Sequence, residues 1–260
     1  MTFEDKTILV TGAGRGIGKA AAIKFAELGG RLVVSDVNTH NLEDTRRELE
    51  SLGRKCFLYQ LDVTDVNQIE NMVDFVKSEL GSVDILFNNA GVTQHIDFFD
   101  IDGDDWDRIH EVNARGAFFC MQKVAKLMVE TGKGGRIINM GSIAGKGYRR
   151  ASNAAYSASK GAVISMTYSA ANVLSEHDIN VNTICPGMVD TDMMANILSL
   201  RSEQTGKSDS ELRESVKSEI PLGRMNEAKD IVEFVVFLAG PSSRNITGQS
   251  FNIDGGMIMQ

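Results

Sequence analysis

Seven short runs of apolar and β-branched residues punctuate the chain. They are "KTILVTG" (6–12), "RLVVSD" (31–36), "CFLYQLDV" (56–63), "VDILFNNAG" (83–91), "GRIINMGS" (135–142), "INVNTICPG" (179–187) and "SFNIDGG" (250–256). Between them the period changes. "IGKAAAIKFAEL" (17–28), "VNQIENMVDFVKSEL" (66–80) and "AKDIVEFVVFLAG" (228–240) repeat their apolar residues at helical spacing. Strands alternating with helices predict βαβ units and a parallel sheet. Nearly continuous apolar strands fit a sheet covered on both faces. The expected fold is α/β, a single doubly wound domain over 1–260 with about seven parallel strands. The alternation lapses at 190–220, a polar stretch that begins "DTDMM". An insertion of this kind is expected to be a lid or loop over a site.

Composition narrows the function. The 260 residues are 42% hydrophobic and 24% charged, with a net charge of −8, as in ordinary water-soluble domains. No Lys/Arg run is long enough to track a phosphate backbone, so no nucleic-acid partner is expected. Cys56, Cys120 and Cys185 are odd in number and far apart, and the four histidines show no ligand spacing. Neither a disulfide framework nor a metal site is expected. "MTFEDKTILV" is no signal peptide. "IVEFVVFLAG" is too short for a membrane span and carries a glutamate. A cytoplasmic setting with no membrane partner is the expectation.

"TGAGRGIG" (11–18) joins the first strand to the first helix. Glycines there permit a tight turn and a close backbone approach, and the helix N-terminus supplies free N–H groups and positive dipole. Gly12, Gly16 and Gly18, with Arg15 and Ile17 between them, therefore form a candidate pyrophosphate cradle. Their spacing departs from G-x-G-x-x-G. The second strand ends at Asp36. A carboxylate there can accept from adenosine ribose hydroxyls, and it repels a 2′-phosphate. Arg15 could instead hold such a phosphate, but Val37 offers no second cation. The balance favours NAD over NADP.

Tyr156 and Lys160 lie four apart in "NAAYSASKGAVISMT", on one face of a helical run. Taken alone they also describe a surface pair. In order along the chain, however, "TGAGRGIG" (11–18), "NNAG" (88–91), Ser142, Tyr156-x-x-x-Lys160 and "PGMVDT" (186–191) resemble the short-chain dehydrogenase/reductase pattern from residue 5 to 260. The resemblance implies a Rossmann-type fold. The three residues between Tyr156 and Lys160 differ from the six of the family's enoyl reductases. Alcohol–ketone redox chemistry is what remains.

That chemistry needs a base for the alcohol proton. A free tyrosine, at about 10, is too weakly ionised at neutral pH. A cation ~4 Å away at an effective dielectric of ~20 is worth on the order of 4 kcal/mol, enough to lower the phenol by two or three units at most. Lys160 is expected to supply it. The resemblance further implies that Tyr156 is the acid/base and that Lys160 also binds the nicotinamide ribose. It makes Ser142 the hydrogen-bond donor to the substrate oxygen, and has Asn113 hold a water linking Lys160 to solvent. For NAD it implies adenine contacts from Asp62 and Val63 and a sheet-stabilising, adenosine-side segment at Asn89, Ala90 and Gly91. It places Pro186, Gly187, Val189 and Thr191 beside the nicotinamide, with Thr191 on the carboxamide.

Substrate contacts are expected from Ser142, from Gln94 and His95 after "NNAG", from Met193 and Met194 in the insertion, and from Lys146, Arg149 and Arg150. Those last cations could attract a polyhydroxylated or anionic substrate, or simply face solvent or another subunit. Similarity within the family points to a small polyol, sugar alcohol or vicinal diol. A 3-oxoacyl thioester or hydroxysteroid substrate remains open, as does a catalytically silent dinucleotide-binding sensor. The resemblance also implies a homotetramer, and "AFFCMQKVAKLMV" (117–129) is apolar on more than one face, as such packing requires.

Overall fold

A computed structural model describes residues 1–54, 56–148 and 152–259. All seven apolar runs form strands. They are β1 (Thr7–Thr11), β2 (Arg31–Asp36), β3 (Cys56–Gln60), β4 (Ile85–Asn88), β5 (Gly135–Met140), β6 (Ile179–Pro186) and β7 (Ser250–Ile253). They make one parallel sheet in the order β3-β2-β1-β4-β5-β6-β7. Period-two alternation sends successive side chains to opposite faces. Ile8, Val10, Ile85, Phe87 and Ile138 pack against α1 (Gly16–Glu27), α2 (Thr39–Ser51) and α9 (Ala228–Ala239). Leu9, Leu86, Ile137 and Val181 pack against α3 (Val66–Leu80), α5 (Ala117–Thr131) and α6 (Ala154–Leu174). Both faces are thus covered, which is why the central strands read as unbroken apolar runs. Among the described residues no helix is long and apolar enough to cross a membrane.

Two departures from the sequence reading matter for the site. The stretch at 190–220 contains two helices, α7 (Asp192–Thr205) and α8 (Asp209–Ser218). Gly206 closes α7 at a φ of 70°, and Ser208 and Glu211 form a reciprocal capping box for α8. In addition, α4 (Gly103–His110) runs through a π-helical turn, Glu111–Gly116, into α5. Such turns are rare and concentrate at functional sites; this one carries the buried Asn113. Across the middle of the sheet, Asn88 Nδ2 donates to Asn139 Oδ1 at 3.0 Å, and Asn139 Nδ2 donates to Thr167 Oγ1 at 2.9 Å. Thr183 Oγ1 donates to that same hydroxyl at 2.7 Å. This satisfied polar seam fixes β4, β5, β6 and α6 relative to one another.

Candidate active site

The strand order reverses between β1 and β4. A parallel sheet opens a crevice beyond the carboxyl ends of its strands at such a point. Here it is a cleft of about 550 Å³. On one side stands the glycine turn. Gly12 and Gly16 have φ of 63° and 55°, a region costly for any residue with a Cβ. Gly18 is needed for a different reason: a Cβ there would lie 2.1 Å from the Gly12 carbonyl oxygen and 2.5 Å from Asn89 Nδ2. Asn89 Nδ2 donates to the Thr11 and Gly12 carbonyls, each at 3.0 Å, and so locks the turn to the end of β4. Gly12, Arg15, Gly16 and Ile17 line the cleft, whereas Gly18 acts through packing.

Side chains cap the N-termini of α2, α3, α4, α6 and α8, but none caps α1. Its first-turn amides are left for an anion in the cleft. At the tip of β2, one Asp36 oxygen accepts the Gly14 N–H and the other the Asn38 N–H, each at 3.0 Å. Those bonds hold the carboxylate at the cleft wall with lone pairs to spare. Asp62 and Val63 line the wall beside it, and Asp62 is steadied by the Thr64 N–H and hydroxyl at 2.9 and 2.8 Å.

At the other end Ser142, Tyr156 and Lys160 converge. Ser142 begins a short 3₁₀ turn after β5, and its Oγ accepts the Ala144 N–H at 3.1 Å. That bond occupies a lone pair and leaves the hydroxyl proton to donate. Asn153 caps α6 by accepting the Tyr156 N–H at 2.8 Å, which fixes the helix start that carries the phenol. Lys160 is only 3% exposed. Its Nζ donates to the Met140 carbonyl at 2.7 Å and lies 5.8 Å from the centre of the Tyr156 ring. The expected depression of the Tyr156 phenol by Lys160 is therefore not what dominates. Burial pushes the phenol up to about 12, with the Ser142 side chain pulling the other way, and burial brings the Lys160 ammonium down to about 8.

Asn113 makes three bonds to protein. Its Oδ1 accepts the Val92 N–H at 2.8 Å, while its Nδ2 donates to the Val92 carbonyl at 2.8 Å and to Ser159 Oγ at 3.1 Å. Both amide hydrogens are spent on protein, so the side chain clamps the loop after β4 to α6. It also sits beside the lysine: a Cβ on Gly91 would lie 3.2 Å from Asn113 Oδ1 and 3.4 Å from Lys160 Nζ.

The cleft wall includes Asn89, Ala90, Gly91, Pro186, Gly187, Val189, Thr191, Met193 and Met194. Gln94 and His95 instead line an adjoining hollow, and the Gln94 side chain accepts from Arg108. Arg149 and Arg150 lie outside the described residues. Lys146, from the same loop, is spent on the Ser250 carbonyl at 2.9 Å. Thr93, from the expected substrate segment after "NNAG", lines the cleft, as do Arg108, Ser152 and Ile197, which were not singled out in the sequence. Only Ile197 carried a signal, lying one helical turn after Met193.

Comparison with known proteins gives the family. A family model described as enoyl-(acyl carrier protein) reductase matches residues 12–258. Sorbitol dehydrogenase from Cereibacter sphaeroides is 38% identical over 256 residues, 98% of both chains. A 3-oxoacyl-(acyl-carrier-protein) reductase from Thermotoga maritima is 36% identical over 259 residues, 100% of both. The crystal structure of NAD⁺-bound xylitol dehydrogenase matches with a TM-score of 0.92 at 33% identity, over 98% of this chain and 100% of that one. By fold, motif order and full-length similarity, the chain belongs to the short-chain dehydrogenase/reductase family of oxidoreductases.

Proposed function

We propose that this enzyme transfers a hydride reversibly between NAD and a secondary hydroxyl or ketone of a small polyol, sugar alcohol or vicinal diol. The observation that carries the reading is one cleft with Asp36 and the uncapped α1 at one end and Ser142, Tyr156 and Lys160 at the other. The residues fit the cofactor. A Cβ at Gly18 would break the turn, the α1 amides suit a pyrophosphate, and Asp36 suits ribose hydroxyls while disfavouring a 2′-phosphate. Asp62 and Val63 would flank the adenine, and Pro186–Thr191 the nicotinamide, which when bound supplies the hydride acceptor or donor. Ser142 donates its proton to the substrate oxygen, and the Tyr156 oxygen holds the proton that leaves or joins it. Lys160 keeps a positive charge near the phenol, 5.8 Å from its ring centre, in a water-poor site. Asn113 is a positioning residue, fixing the Val92 backbone and, through Ser159, the first turn of α6.

A cytoplasmic homotetramer is part of the proposal. Trp106, Phe118, Tyr168 and Val173 are exposed on α4, α5 and α6; a light-scattering mass of four chains is the expected result, and a monomer mass would overturn it. Similarity to the Thermotoga maritima protein favours reduction of a 3-oxoacyl thioester as the second reading. The test offers NAD⁺ and NADP⁺ with polyols, diols and hydroxysteroids, offers the reduced cofactors with 3-oxoacyl thioesters, and follows the NADH band. We expect NAD-linked polyol or diol turnover. Tyr156→Phe should keep the fold and cofactor affinity and lose about 10²–10⁴-fold in kcat, the usual worth of a general acid/base. Tight cofactor binding with no turnover of any substrate would instead indicate a silent sensor.

A further inference from the structure

Beside the cleft lies a second hollow of about 410 Å³, separated from it only by walls they share, Ser152 and Ile197. The loop after β4 contributes His95 and Asp97, and α7 contributes Arg201. Met193, Ile197 and Arg201 repeat at i, i+4 and i+8, so one face of α7 runs from the cleft into the hollow. At 1.5 Å per residue that face spans about 12 Å, and helical side chains lean toward the helix N-terminus, here toward the cleft. The Arg201 guanidinium, the His95 ring and the Asp97 carboxylate have no hydrogen-bond or ion-pair partner among the described residues. The neighbouring cations are taken: Arg213 is bound to Asp190 and Asp209, and Arg108 to Gln94 and Asp105.

On the reading that the cleft oxidises a secondary alcohol, we propose that the hollow is a distal substrate subsite that reads additional hydroxyl groups, with Arg201 and Asp97 determining specificity for five- and six-carbon polyols over short diols. A hydroxyl both donates and accepts. A neutral chain of hydroxyls can therefore donate to Asp97 and accept from Arg201 at once. An acyl chain offers these groups no hydrogen bond, and an anion would be drawn to Arg201 but repelled by Asp97. The wall shared at Ser152 and Ile197 gives a substrate whose reacting carbon lies at Tyr156 a route into the hollow.

The test compares kcat/KM for six-carbon, five-carbon and four-carbon alditols and for a four-carbon vicinal diol, with NAD⁺, in the native enzyme, Arg201→Ala and Asp97→Ala. Groups built to bond a substrate hydroxyl discriminate strongly against its absence. The native enzyme should favour the longer alditols. Each variant should lower the ratio of six-carbon alditol to four-carbon diol by about tenfold or more, mainly through KM, with an unchanged Tm showing an intact fold. An unchanged ratio in both variants overturns the subsite. Faster turnover of 3-oxoacyl thioesters or of alditol acids than of alditols overturns it too, even though the redox reading stands. No turnover of any alcohol or ketone by the native enzyme defeats the redox reading itself.

Discussion

Lys160 is held out of water on α6 with one protein acceptor, the Met140 carbonyl. Burial lowers its ammonium from 10.5 to about 8. A folded value below the unfolded one means that the unfolded chain binds more protons between pH 8 and 10.5, so stability rises with pH across that window. Below pH 8 the whole penalty persists, on the order of 3 kcal/mol. Lys160→Met removes the charge and keeps the length, and strands the Met140 carbonyl at a cost of about 1 kcal/mol. We expect the variant to be more stable than the native chain at pH 7 by roughly 2 kcal/mol, an advantage that shrinks toward pH 10, and to be nearly inactive. Denaturant unfolding at both pH values checks the sign; a less stable variant at pH 7 would mean that the charge is stabilised in place. The Tyr156-x-x-x-Lys160 spacing made the shared helix face legible in the sequence. It could not show that the ammonium reaches the end of β5, because that depends on the tertiary approach of α6 to the sheet.

At the scale of elements, α7, which borders the cleft, and α8, which follows it, show how local signals are missed. "GKSDSELRE" (206–214) holds a C-capping glycine, an N-capping serine and a glutamate three residues later. Those are a helix stop and a helix start, outweighed in the sequence reading by the polarity of the stretch. α8 is polar because it is a surface helix with no buried residue, so caps and ion pairs must define it where packing does not. Arg213 bonds Asp209 at 2.7 Å and Asp190 at 2.8 Å, tying α8 to the chain that enters α7. The proposed lid role of these helices suits such marginal local stability. Ser208→Ala should cost about 1 kcal/mol at the cap. Amide exchange should then quicken several-fold across 209–218 while the core strands are unaffected, whereas equal acceleration in β1 and β4 would show that α8 opens only with the whole chain. The π turn at 111–116 had no sequence signal, because it is set by close packing. A Cβ on Gly116 would come within 2.7 Å of the Val63 carbonyl oxygen.

At the scale of the molecule, the strand order and the position of the cleft have a common origin. The chain starts in the middle of the sheet, winds outward through β2 and β3, and returns to β4 on the far side of β1. The split beyond β1 and β4 follows, and with it the convergence of residues from both halves of the sequence. Strand–helix alternation made this class of fold legible, and the apolar strands made the two covered faces legible. The covering helices on each face pack against the same central strands, Leu9 and Leu86 on one side, Val10 and Phe87 on the other. We propose that they cannot melt independently and that 1–260 unfolds as one domain. Leu86 is fully buried in β4, so Leu86→Ala should cost 2–5 kcal/mol. Trp106, the single tryptophan, is exposed on α4 and far from Leu86 in sequence. If the molecule is one cooperative unit, far-ultraviolet circular dichroism and Trp106 fluorescence will report coincident transitions in the native chain, and Leu86→Ala will move both by the same amount. A tryptophan transition that stayed in place while the helical signal shifted would separate α4 from the sheet, and the single-domain proposal would fail.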